Sequence, residues 1–114
     1  MTDMQMMEMA AKELQMVDTA PENLPAPLVY VLETVAGNIH TVVNNDFQKT
    51  LDALAQSGDT VVIQLVAMWK GACVDIPSYA FRKALLELDD ANRHTKVLLR
   101  SERGYITKPL GIMM

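Results

Sequence analysis

The sequence predicts an α+β fold in one domain spanning residues 1–114. Segments with helical periodicity alternate with segments rich in β-branched residues. Their order is helix, hairpin, helix, strand, helix, hairpin, or α-β-β-α-β-α-β-β. That order gives three helices packed on about five strands in a largely antiparallel or mixed sheet. The 114 residues are 50% hydrophobic. A chain of that size buries roughly two-thirds of its unfolded surface, so one core can hold it without disulfides or metal.

Residues 1–17 read as a Met-rich helix. Thr2 and Gln5 have capping-box spacing. Met4, Met7, Ala11 and Leu14 form one apolar stripe, widened by Met6, Met9, Ala10, Met16 and Val17. Glu8 and Lys12 make a favourable i,i+4 pair on the polar side. Residues 18–27 hold Pro21, Pro25 and Pro27 and form a stiff connector inside the domain. Residues 28–43 carry two β-branched runs around Gly37-Asn38, which predicts a hairpin. The same apolar residues also fit a helical period, so a helix is the alternative. Residues 46–57 read as a helix with Asp46 as N-cap and Gly58 as the stop.

Residues 60–69, TVVIQLVAMW, are nearly continuously apolar. They predict a central strand buried on both faces, with a helix closed by Gly71 as the alternative. Residues 78–91 form a helix entered through Asp75-Ile76-Pro77-Ser78 and ended by Asn92. Its buried face is Phe81, Ala84, Leu85 and Leu88. Residues 95–108 read as a hairpin turning at 101–104, and Pro109 ends the pairing. Residues 110–114 are an apolar tail.

Several function classes are excluded or disfavoured. Cys73 is the one cysteine, so there is no disulfide scaffold. The longest apolar run, Val61–Trp69, is far shorter than the roughly 18 residues of a membrane helix. The start, Thr2-Asp3, shows no basic region before an apolar stretch, so no signal peptide is expected. A small cytoplasmic, bacterial-type protein is the default. No phosphate-binding glycine motif occurs. His40, His94 and Cys73 lack the close spacings of zinc ligands. Asp89 and Asp90 are neighbours on a helix and diverge by about 100°. No metal, cofactor or catalytic residue is therefore assigned. Charge is uneven: residues 1–78 carry ten acids against three bases, and residues 79–114 seven bases against four acids.

The helix of residues 78–92 followed by KVLLRSERGYITK resembles the helix and wing of winged-helix DNA-binding domains. That resemblance implies a DNA contact through Arg82, Lys83, Arg100 and Arg103. The acidic whole-chain balance ranks it second. The leading expectation is a non-catalytic binding or interaction protein, associating with itself as a homodimer. Met4, Met7, Met9 and Met16 are its association residues, because a Met-rich face adapts to many surfaces. Trp69 and Tyr105 are candidate pocket or contact aromatics. A protein or small-molecule partner is left open and a membrane partner is not expected. A small thiol hydrolase using Cys73 ranks third, since a catalytic thiol needs a base within reach.

Overall fold

A computed structural model describes all 114 residues. The expected hairpin at 28–43 forms. Strand β1 (Leu28–Thr34) pairs antiparallel with β2 (Ile39–Val43), with Tyr30 opposite Val42. Every residue of β1 is buried. Tyr30 and Leu32 face one layer of the core while Val29 and Val31 face the other. A strand covered on both faces loses its apolar–polar alternation, which is why this segment also fits a helix.

The expected central strand is β3 (Val62–Trp69). It pairs antiparallel with β1 and with the short β4 (Cys73–Asp75). It also pairs parallel with β5 (Lys96–Ser101) at Gln64–Leu65. The last strand, β6 (Gly104–Pro109), pairs only with β5. The sheet order is β2-β1-β3-β5-β6, with β4 beside β3. There are thus six strands rather than about five. The addition is β4, whose three residues are too short to show a period.

Helix α1 (Asp3–Leu14) covers one face of the sheet. The capping box forms: Thr2 Oγ1 accepts from the Gln5 N–H at 3.1 Å, and Gln5 Oε1 from the Thr2 N–H at 2.9 Å. The buried stripe is Met6, Ala10 and Leu14, not Met4, Met7, Ala11 and Leu14. Both sets satisfy a 3.6-residue period and share Leu14. The stripe with fully buried Ala10 at its middle lets the helix backbone approach the sheet.

Helices α2 (Gln48–Ser57) and α3 (Tyr79–Leu88) cover the other face. Asp46 is not the cap of α2. The chain turns into the helix through Asn44 and Asn45, both at positive φ, and Phe47 takes the cap position with no side-chain bond. Gly58 ends α2 at φ 77°, as its freedom from a Cβ allows. In α3, Ser78 Oγ accepts from the Phe81 N–H at 3.2 Å, and Phe81 and Leu85 are buried. Asn92 does not end this helix. The chain leaves α3 at Asp89, and a 3-10 turn over Asp90–His94 carries Asn92 into the core. There its side chain donates to Leu85 O at 2.8 Å and Thr60 O at 3.0 Å and accepts from the Val62 N–H at 2.7 Å. The apolar tail packs down: Leu110 is fully buried and donates its N–H to Thr95 O. No helix is long and apolar enough to cross a membrane.

Candidate functional site

In open sheets flanked by helices, ligands bind where strand ends meet helix N-termini, because unpaired N–H groups and the helix dipole converge there. Here that place is the junction of β1, the β2–α2 turn and the start of α3. Tyr30 comes from β1, Asn45 from the turn and Ser78 from the cap of α3. The Tyr30 hydroxyl donates to Asn45 Oδ1 at 2.5 Å. The Ser78 N–H donates to Tyr30 Oη at 3.2 Å, and Ser78 Oγ donates to Asn45 Oδ1 at 3.3 Å. The Phe81 ring lies 4.4 Å from Tyr30 and 5.0 Å from Phe47, centre to centre. Close tilted aromatic contacts of this kind add to simple burial. Arg82 sits one residue on, donating to Pro77 O and Met113 O beneath the Tyr79 ring.

At the junction Tyr30 and Phe81 are fully buried, and Asn45 and Ser78 are half-buried. Surface cavities lie elsewhere. One of about 530 Å³ lies between the end of α3 and the tail, lined by Leu86, Arg93, His94 and Ile112 among others. One of about 210 Å³ runs between α2 and α3.

At the opposite end of the sheet two carboxylates tie loops together. Thr34 Oγ1 donates to Asp59 Oδ2 at 2.5 Å and Asn38 Nδ2 donates to it at 2.9 Å. These bonds, Thr34 first, hold the Asp59 carboxyl below the usual range. Its other oxygen, Oδ1, is buried without a partner. Asp89 is lowered in the same way by Thr60 Oγ1 at 2.6 Å and then by the Ala91 N–H.

No family model matches the chain, and no curated protein matches it. Solved structures do. A cytidine deaminase from Mycobacterium leprae aligns with a TM-score of 0.71 at 13% identity, over 100% of this chain and 98% of the other. A cytidine deaminase from Burkholderia pseudomallei aligns at 0.71 and 17%, over 100% and 97%. One from Mycobacterium tuberculosis aligns at 0.66 and 16%, over 99% and 94%. The fold is that of the cytidine deaminases.

The leading expectation of a non-catalytic binding or interaction protein is corrected here: the solved structures that share this fold are cytidine deaminases. The fold overturns the winged-helix alternative as well. Residues 62–69 are a strand, where that alternative needs a helix. Arg82 is occupied by Pro77 O and Met113 O, and Lys83 pairs with Glu87. The thiol hydrolase falls on geometry. Cys73 stands on β4 opposite Trp69, while His40 is on β2, beyond both β1 and β3. His94 is exposed on the 3-10 turn.

The association residues divide. Met4 and Met16 are exposed, whereas Met7 and Met9 are partly buried against the α1-side core. Trp69 packs at the margin of the α2/α3-side core, and Tyr105 is 47% exposed on β6. Arg100 and Arg103 are exposed on the β5–β6 hairpin.

Zinc deaminases activate water on a metal held by a His or Cys and two further Cys, in the pattern H-x-E … P-C-x-x-C. The residues here do not fit that metal. The chain has one cysteine, Cys73. Pro77 precedes Ser78, the N-cap of α3, and the run Pro77-Ser78-Tyr79-Ala80-Phe81 carries serine and phenylalanine where the P-C-x-x-C pattern carries cysteines. Neither histidine begins an H-x-E: the sequences are His40-Thr41-Val42 and His94-Thr95-Lys96. No three His, Cys, Asp or Glu side chains come together as a metal-binding group.

Sequence reasoning placed the entry to α3 in Asp75-Ile76-Pro77-Ser78 and found Phe81 as a core residue. It missed Tyr30 and Asn45. The signals were a tyrosine inside an otherwise aliphatic run and the Asn44-Asn45 pair, whose side chains favour positive φ.

Proposed function

We propose that this chain carries the cytidine-deaminase architecture without zinc-dependent deamination, its hydrolytic centre having become a structural one. The observation that supports this is the start of α3, Pro77-Ser78-Tyr79-Ala80-Phe81. A serine hydroxyl already bonded to Asn45 and a buried phenyl ring replace two thiolates. A neutral hydroxyl is a poor zinc ligand and a phenyl ring is none. Without the metal, water keeps a pKa far above neutrality, and no hydroxide is supplied for attack on a cytosine ring.

The substitution is compensated. Tyr30, Asn45 and Ser78 satisfy one another, and Phe47, Tyr30 and Phe81 fill the space with ring contacts. Cys73 is a free thiol, in keeping with a reducing cytoplasmic compartment.

The test uses purified protein with and without equimolar zinc. Cytidine turnover is followed by ammonia release, and bound metal by mass spectrometry. We expect no ammonia above the protein-free control and no stoichiometric zinc. One zinc per chain, or turnover that rises with zinc, overturns the reading.

A further inference from the structure

We infer that the free edge of β6 docks an extended acidic peptide as an additional strand of the sheet. β6 is the last strand in the order and pairs on one side only. All six of its residues, Gly104–Pro109, are exposed. Its backbone groups are not equivalent. The turn between β5 and β6 is two residues long, so Ser101 and Gly104 form the closing hydrogen-bonded pair. Hydrogen-bonded and non-hydrogen-bonded pairs alternate from there. The pairs Arg100–Tyr105, Leu98–Thr107 and Lys96–Pro109 are therefore of the second kind. Beyond them the alternation resumes, and the Leu110 N–H donates to Thr95 O at 2.9 Å. Tyr105 and Thr107 thus turn both N–H and C=O toward the open side, and Pro109 turns its C=O. These groups are what an added strand pairs with.

Charge selects the occupant. Lys96, Arg100, Arg103 and Lys108 are all exposed, and none takes part in an ion pair. Paired residues share a face of the sheet. Lys96 and Arg100 therefore flank Tyr105 and Thr107 on the α1 side, and Lys108 stands beside Val97 on the other. Glu102 is the one acid between residues 96 and 109. An acidic strand meets cations along both of its faces. A second copy of β6 meets its own charges and the missing N–H of Pro109, devices that keep sheet edges from pairing with themselves. The edge closes against its own kind and stays open to a strand of opposite sign. Tyr105, 47% exposed, and Ile106, 40% exposed, give apolar contacts on either face.

The probe is a fluorescein-labelled peptide of about ten residues alternating glutamate and threonine. Its lysine–threonine counterpart and an oligothymidylate of similar length serve as comparisons. Binding to the full chain is read by anisotropy at low and at physiological salt. We expect the acidic peptide to bind, to weaken with salt, and to bind at least about tenfold more tightly than the basic one. On binding, the amide protons of Tyr105 and Thr107 gain protection from hydrogen exchange. Thr107→Pro removes one outward N–H and lowers affinity by about tenfold. If that variant misfolds, the Arg100→Glu/Lys108→Glu variant decides, with the same direction of loss. Equal affinity for the acidic and basic peptides overturns the inference. So does acidic-peptide binding without protection of Tyr105 and Thr107, or binding of the oligonucleotide alone. None of these outcomes bears on zinc content or cytidine turnover.

Discussion

The junction under α2 and α3 and the outer edge of β6 treat polar groups in opposite ways. At the junction, groups from three separate segments bond to one another beneath the aromatic rings of Phe47 and Phe81. At the edge, backbone groups and four cations face outward with no partner in the chain. A buried polar group costs stability if it is left unpaired, whereas an exposed one is served by water. The comparison teaches that polar groups can be drawn in beneath the rings only where each finds a partner. An edge carries no such condition, because water serves its groups.

Phe81→Ala should have the largest effect. It empties a fully buried position against Tyr30 and Phe47. Chemical denaturation should show a loss of about 3–5 kcal/mol. A loss below about 1 kcal/mol would show that the junction is not packed as described. Asn92→Ala comes next, at about 3 kcal/mol. It leaves Leu85 O, Thr60 O and the Val62 N–H without their side-chain partner. Tyr30→Phe keeps the ring and removes the hydroxyl, leaving Asn45 with Ser78 alone; about 1–2 kcal/mol is expected. Tyr105→Ala on the open edge should stay within about 0.5 kcal/mol. If it approached the Tyr30→Phe loss, the contrast between the two regions would fail.

The smallest effect should appear only in acid. The carboxyls of Asp59 and Asp89 are held below their ordinary value of 3.8. Each therefore contributes stability above that pH, where both folded and unfolded forms are ionised. The contribution is lost as pH falls below 3.8 through the lowered folded-state values. Denaturation midpoints of Asp59→Asn and Asp89→Asn should converge on the parent at low pH and lie below it at neutral pH. A gap that stays constant across this range would show that ionisation of the two groups is not involved.

Much of the fold is legible in the sequence. The capping box at Thr2 and Gln5, the stop at Gly58, the entry to α3 within Asp75–Ser78 and the two hairpins all rest on contacts within a few residues. The missed features are those where several local solutions are equally good. Asp46 is a sound cap by type, but Asn44 and Asn45 set the approach to α2 and leave it outside. Asn92 reads as a helix terminator because its side chain competes with backbone groups. It does so here inside the core, thirty residues from the Val62 N–H it accepts. The sheet edge was legible only in part. The cations of residues 96–108 are plain in the sequence, but nothing local shows that β6 has a single neighbour.

The sequence by itself determined the elements and their apolar faces. It also determined that Cys73 is the one cysteine and that His40 and His94 stand far from it in sequence. Only the tertiary structure decided that Tyr30 meets Ser78 across 48 positions of the chain, that the Met6 stripe rather than the Met4 stripe is buried, and that β6 is left open. Helical period, capping and turn chemistry act within one or two turns of chain and are written in neighbouring residues. Strand order and register depend on all layers packing at once, and a slip of one residue would send every side chain of a strand to the opposite face.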